Sequence, residues 1–385
     1  MTDKSYHISE LIKLAKRDNN KKRPFLLVNP LQGKHIPASP KESLNLFEKL
    51  FLKLNQNYPQ SKFLIIGFAE TATAIGAAVS VLCPQGSYYI HTTREIVEKS
   101  EYLYFTEAHS HATEQKLVKD NLKDLISKTD RIVFVEDEIT TGNTILDIAK
   151  LLKKEYNDLQ LNFTILSIVS GVNEDSRKKL NLETINHIYE VSFETENMEK
   201  LDNYSYDNSL CHQLEVKNDI IVEEHRITDN SNPRKGIEVN EYKKSCDFLV
   251  SEIMKKLENK NYEGKKILVL GTEEFMYPAM LLGEKIEREW SCEKVRFHAT
   301  TRSPILPSSE ENYPLNSRYE LRSLYDKDRV TYLYNLDKYD KVIIVHDSSQ
   351  VEIEIGLKSL CSALVKNNCE DISIFHWGNA NENFL

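Results

Sequence analysis

Short apolar runs recur through the first half of the chain, at Phe25–Val28, Phe63–Gly67, Tyr88–Thr92, Tyr102–Phe105, Ile132–Val135 and Phe163–Val169. Helical spacing of apolar residues lies between most of them, near 41–54, 71–82, 113–127 and 144–155. Continuous apolar β-runs alternating with amphipathic helices predict a parallel sheet covered on both faces. From about 195 to 240 the chain turns polar, rich in Asn, Asp, Glu and Ser, and is expected to link two domains. The alternation then restarts. It predicts a helix near 240–258, strands at Lys266–Gly271, Lys294–Ala299 and Lys341–His346, and helices near 276–289 and 352–366. The fold class expected is α/β with two domains, divided as 1–195, an interdomain segment 196–240, and 241–385.

The second half echoes the first. Leu64-Ile-Ile-Gly-Phe-Ala-Glu70 has the form of Leu268-Val-Leu-Gly-Thr-Glu-Glu274, Ile90-His-Thr-Thr-Arg94 that of His298-Ala-Thr-Thr-Arg302, and Val133-Phe-Val-Glu-Asp137 that of Ile343-Ile-Val-His-Asp347. From Gly67 to Thr93 the separation is 26 residues, against 30 from Gly271 to Thr301; from those threonines to the aspartates it is 44 and 46. Three matching elements in one order point to a duplicated fold.

Composition narrows the class. The chain has 385 residues, 40% of them hydrophobic and 28% charged, enough apolar material for real cores. A formal net charge of −9 argues against a large nucleic-acid footprint, so no nucleic-acid partner is expected. Neither a long apolar span nor a signal-peptide core is seen, and the six cysteines are scattered without a Cys-x-x-Cys pair. The expectation is a cytoplasmic globular protein without a membrane partner.

The chemistry concentrates in Arg131-Ile-Val-Phe-Val-Glu-Asp-Glu-Ile-Thr-Thr-Gly-Asn143. An apolar strand delivers Glu136 and Asp137 at its carboxyl end, and the turn Thr140-Thr141-Gly142-Asn143-Thr144 opens into a helix. Hydroxyls, a glycine and free N–H groups at a helix N-terminus suit a phosphate. Acids just before them suit two sugar hydroxyls, or a divalent metal held against them. The run therefore reads as a sugar-phosphate site.

Other segments are more ambiguous. Gly67-Phe-Ala-Glu70-Thr71-Ala-Thr73 can present N–H groups to a pyrophosphate, or is a tight strand-to-helix turn. Arg94 can contact phosphate bidentately, or pair with Glu95 or Glu98. Glu107-Ala-His109-Ser-His111 suits a loop that closes over a reacting centre, with His109 and His111 donating to a leaving group, or else a solvated loop. With no third histidine or cysteine nearby, zinc is not expected there. Lys34 and His35 are candidate acceptor-binding residues, or part of an ordered turn. In the second half Glu274, His298, Arg302, Ser303, Arg318 and Asp347 are candidates for a second site, against a purely structural half.

The Glu136-Asp-Glu-Ile-Thr-Thr-Gly-Asn-Thr144 run resembles the phosphoribosyl-pyrophosphate (PRPP) loop of type I phosphoribosyltransferases. Together with Gly33-Lys-His-Ile-Pro37 and Glu107-Ala-His-Ser-His-Ala-Thr113 it looks like the orotate-type domain found with bacterial tellurite-resistance and stress operons. Thr301-Arg-Ser-Pro304, Arg318-Tyr-Glu320 and Tyr332-Leu-Tyr-Asn-Leu336 resemble the TRSP domain fused to it.

The resemblance implies a type I phosphoribosyltransferase-like sheet followed by a TRSP-like domain. It also implies transfer of phosphoribose from PRPP to a base-like acceptor, with Mg²⁺, in the synthesis of a nucleotide-like metabolite. In that reading Glu136 and Asp137 hold the ribose and its metal and are candidate catalytic residues with His109 and His111. Thr140 to Thr144 take the 5′-phosphate, and Glu70, Thr71 and Arg94 the pyrophosphate. Purine-salvage relatives carry Asp where Thr140 stands, which disfavours hypoxanthine or guanine as acceptor. Lys99 and Lys116 are not placed clearly enough to assign a catalytic lysine. A non-catalytic PRPP sensor, a C-terminal half that processes the product, and a homodimer all stay open.

Overall fold

The computed structural model describes residues 5–18, 23–105, 115–193, 204–213, 216–217, 220–229, 231–258, 261–349 and 353–378. Two compact units emerge. The first comprises Met1–Leu11, Leu44–Glu196 and Ser231–Lys244; the second comprises Ile12–Ser43, Asn197–Asn230 and Ser245–Leu385. This departs from the expected division at 195 and 240, because Ile12–Ser43 packs with the C-terminal residues and Ser231–Lys244 with the N-terminal ones.

The first unit contains α1 (Ile8–Leu11), most of α2 (Pro40–Asn57), β3 (Phe63–Gly67), α3 (Ala72–Ser80), β4 (Tyr88–His91), β5 (Tyr102–Phe105), β6 (Gln115–Val118) and α4 (Leu122–Ser127). It continues through β7 (Arg131–Ile139), α5 (Asn143–Glu155), β8 (Phe163–Ser170), α6 (Glu174–Leu182), β9 (Asn186–Ser192) and β12 (Ile237–Glu238). Its sheet runs β12-β4-β3-β7-β8-β9, parallel except for the antiparallel edge strand β12. Every residue of β3 and β8 is buried, as a strand between two helix layers requires; β3 is wholly apolar, while β8 buries Thr164, Ser167 and Ser170 among its apolar residues.

The stretch expected as one helix over 113–127 divides instead. Gln115–Val118 pairs antiparallel with Tyr102–Phe105, and only Leu122–Ser127 is helical. Strand pairing here overrides a helical spacing carried by few residues.

The second unit contains β1 (Lys13–Lys16), β2 (Phe25–Val28), β10 (Cys211–Gln213), β11 (Glu223–Thr228), most of α7 (Val239–Leu257), β13 (Lys266–Gly271), α8 (Tyr277–Glu289) and β14 (Lys294–Ala299). β15 (Arg318–Arg322), β16 (Val330–Tyr334), β17 (Lys341–His346), α9 (Ile353–Lys366) and β18 (Ile372–Gly378) follow. Its main sheet is wholly parallel, in the order β11-β18-β17-β13-β14. The β1–β2 hairpin buries Ala15, Leu26 and Val28 with Ile305, Tyr313, Leu315 and Tyr334. The expected interdomain segment supplies strands to both units: β10, β11 and β12.

The duplication is plain in the topology. β4-β3-β7-β8 in the first unit corresponds to β14-β13-β17-β18 in the second. An antiparallel hairpin follows the strand after the first crossover in each, β5–β6 and β15–β16.

Candidate active site

In the first unit β4, β3 and β7 are neighbours, and the register sets Gly67 opposite both His91 and Val135. The residues after those positions therefore share one rim: 68–71, 92–94 and 136–138. Ligands collect at the carboxyl ends of parallel strands in this way.

The turn after β3 is built tightly. A Cβ on Gly67 would lie 3.0 Å from the Ala72 carbonyl oxygen, and one on Gly76 would lie 3.0 Å from Gly67 Cα, so two glycines let α3 approach the strand. Thr92 Oγ1 accepts from the Ala69 N–H at 2.8 Å and donates to Gln115 Oε1 at 2.5 Å. The Gln115 side-chain N–H in turn donates to the Ala69 carbonyl at 2.7 Å. Both polar groups of the Ala69 backbone are thus fixed by two buried side chains. Thr73 Oγ1 donates to the Glu70 carbonyl at 3.0 Å, and the Ala69–Glu70 peptide is cis. Glu70 and Thr71 are left half-buried on the rim, ahead of a helix whose first turn carries no acid. Arg94 is half-buried two residues beyond Thr92.

β7 runs further than the apolar pattern indicates, to Ile139, because Glu136, Glu138 and Ile139 continue the ladder with Ser167, Val169 and Ser170 of β8. Glu136 and Asp137 are therefore strand residues, half-buried, with successive side chains on opposite faces of the pleat. Gly142 adopts φ +70° as the N-cap of α5, where a side chain would be strained. α5 has no acid in its first turn and Lys153 and Lys154 in its last, so no acid of its own first turn offsets the positive end of the helix dipole. His109 and His111 lie outside the described residues.

Residues 11–195 match the family described as phosphoribosyl transferase, and residues 231–364 match the TRSP domain C-terminal to it. The chain carries a phosphoribosyl transferase domain followed by a TRSP domain. No curated protein matches the sequence. Among solved structures, it is similar to adenine phosphoribosyltransferase from Giardia lamblia complexed with 9-deazaadenine. That likeness has 12% identity and a TM-score of 0.34, over 48% of this chain and 94% of that one. The enzyme from Trypanosoma brucei, in complex with AMP, pyrophosphate and ribose-5-phosphate, shows 15% identity and a TM-score of 0.34, over 48% and 77%. That from Thermoanaerobacter pseudethanolicus shows 18% and 0.32, over 48% and 98%.

The TRSP-bearing unit disperses the residues grouped as a second site. Glu274, Arg302 and Asp347 stay within one network through Glu273, Ser323, Tyr325 and Arg329. His298 instead lies between two carbonyl oxygens, Gly33 at 2.9 Å and Tyr334 at 2.8 Å from its ring nitrogens; it is structural. Its burial lowers its pKa, although both of those bonds oppose the shift. Arg318 donates to Asp18 and to the Ile305 carbonyl. The Ser303 carbonyl accepts from the Tyr334 hydroxyl.

Lys34 and His35 do not belong to the first unit. Lys34 is 1% exposed and its ammonium donates to the carbonyls of Glu273 and Thr300, at 3.0 and 3.1 Å. Sequence reasoning missed Gln115 altogether, because a lone glutamine in a stretch expected to be helical carries no signal.

Proposed function

We propose that the first unit binds Mg·PRPP and transfers its ribose-5-phosphate to a base-like acceptor, releasing pyrophosphate, for a nucleotide-like metabolite. The observation that carries this is the shared rim: the Thr92–Gln115 clamp on the 67–73 turn and the acids of β7 stand at the ends of adjacent parallel strands. Thr140 to Thr144 take the 5′-phosphate at the start of α5. Glu136 and Asp137 supply the acids for the ribose and its metal, while Glu70, Thr71 and Arg94 attend the pyrophosphate.

Among the described residues no group of three or more His, Cys, Asp or Glu side chains could hold a metal ion. That fits Mg²⁺ bound through one or two carboxylates together with substrate oxygens, rather than in a protein cage. Glu136 and Asp137 would be those carboxylates, and the ion would neutralise charge on the departing pyrophosphate. The chain's own part is positioning. The clamp fixes backbone dipoles before substrate arrives, so little reorganisation is left for the reaction. Thr140, a hydroxyl where purine-salvage relatives carry an acid, supports an acceptor other than hypoxanthine or guanine.

The decisive experiment incubates the full chain with Mg·PRPP and a cell-metabolite extract, and follows pyrophosphate release and new ribosylated masses. A product that appears with the wild type and fails with Asp137→Asn is the expected result. No PRPP-dependent product, with Asp137→Asn indistinguishable from wild type, would defeat the reading.

A further inference from the structure

The second unit repeats the strand order of the first and also the contacts that shape its rim. Glu273 N–H donates to Thr300 Oγ1 at 3.1 Å, as Ala69 does to Thr92, and Thr300 N–H donates to the Gly271 carbonyl at 3.3 Å, as Thr92 does to Gly67 at 2.9 Å. Thr301 exchanges both backbone bonds with Tyr332, as Thr93 does with Lys116, so the two hairpins dock in the same way.

What differs is what occupies the rim. Ala69 is replaced by Glu273, held at φ +47° and 1% exposed. Its carboxylate accepts from Ser323 Oγ at 2.5 Å and from Arg329 Nη1 at 2.8 Å, residues that bracket the tip of the β15–β16 hairpin. Within the tip, the Tyr325 hydroxyl lies 2.7 Å from Thr272 Oγ1 and donates at 2.8 Å to Asp347, the counterpart of Asp137. Ser348 donates its hydroxyl to the Leu324 carbonyl. Leu324 and Tyr325 bury against Ile353 at the start of α9, and a Cβ on Gly356 would lie 2.6 Å from the Ser323 carbonyl oxygen, so this glycine admits the tip. α9 also opens with Glu354 in its first turn, where its counterpart α5 has no acid.

We propose that residues 323–329 are an internal stand-in for ligand: the Tyr325 hydroxyl takes the place of a sugar hydroxyl at Asp347, and the chain keeps a single PRPP site, in the first unit. Arg302 and Arg329, two guanidinium cations of this rim, are already paired with Glu273, Glu274 and Asp326, and Lys34 donates to the carbonyls of Glu273 and Thr300. A diphosphate that drew them away would leave buried carboxylates uncompensated. The tip also competes as part of the same chain, at a high effective concentration. The count of sites rests on the reading of the first unit given above; the strap does not.

Calorimetric titration of Mg·PRPP into the full chain and its Asp137→Asn and Asp347→Asn variants separates the two. One binding event per chain, lost in Asp137→Asn and kept in Asp347→Asn, is expected. A second event that Asp347→Asn removes overturns the proposal and leaves the transferase reading intact. No event in the wild type defeats the transferase reading, and the strap is then judged by proteolysis. Trypsin cleavage after the exposed Lys327, followed by mass spectrometry, should be about tenfold faster in Tyr325→Phe, which lacks the bonds to Thr272 and Asp347. Equal rates in the two proteins overturn the strap.

Discussion

At the scale of single residues, the 67–73 turn depends on a hydroxyl that does two jobs. Thr92 is wholly buried, accepts from Ala69 N–H and orients Gln115. Thr92→Val keeps the volume and strands a buried backbone donor, at about 1–3 kcal/mol. The expected result is a lower urea midpoint and weaker inhibition by pyrophosphate, with Thr92→Ser restoring most of both. A variant that loses stability but binds pyrophosphate normally would remove the clamp from the site. The acid-turn run at Glu136–Thr144 was legible because it is local, whereas the partnership of Thr92 with Gln115 joins residues 23 apart that only folding brings together.

Buried histidines set an acid limit. Burial holds His187 at about 4, with Arg177 adding to the effect, and His376 at about 4, with Arg226 adding. His346 is held at about 3 by burial and by the neighbouring His376, against the opposing pull of Asp347. Unfolded histidines titrate near 6.5, so between there and about 4 the unfolded chain binds more protons than the native one. Stability is therefore full above pH 6.5 and falls as the pH drops through that window, by on the order of 1 kcal/mol per histidine at pH 5. Urea midpoints measured from pH 7.5 to 5 should decline, and a flat profile would contradict the burial.

At the scale of elements, the strand-turn-helix pairs were the most readable part, because an all-apolar strand ending in Gly is a strong pattern. β3 and β13 have the bounds their sequences indicated, Phe63–Gly67 and Lys266–Gly271. The two edges of the second sheet differ: β14 has the bounds its sequence indicated, Lys294–Ala299, whereas β11 is mostly exposed, with Ile227 its single buried residue, so its side chains show no alternation and it was not readable. The two glycines ending β3 and β13 are not equally constrained. A Cβ on Gly67 would lie 3.0 Å from the Ala72 carbonyl oxygen, but one on Gly271 would lie 2.6 Å from that of Phe275. Gly271→Ala should cost about 2–3 kcal/mol and Gly67→Ala about 1 kcal/mol. Chemical denaturation of both variants checks the order, and a reversed ranking would count against the close approach at Gly271.

At the scale of the whole molecule, the chain order and the packing order differ, and cuts made by sequence boundaries should fail. The β1–β2 hairpin buries its apolar face against Ile305, Tyr313, Leu315 and Tyr334. Gly33, at φ +67°, sits where a Cβ would lie 2.2 Å from the Phe297 ring, and Lys34 closes the carbonyls of Glu273 and Thr300. None of this shows in composition, since residues 12–43 read like the start of the domain they precede. A fragment of residues 1–195 leaves that hairpin without its core and strips β4 of its β12 partner and Tyr89 of the tilted Tyr242 ring beside it. A fragment of 241–385 loses the lysine and the hairpin in exchange. Each fragment should bind a hydrophobic dye and unfold without a cooperative transition, while the full chain unfolds cooperatively. Sharp, native-like melting of 1–195 alone, followed by near-UV circular dichroism, would show that residues 12–43 do not need the second unit.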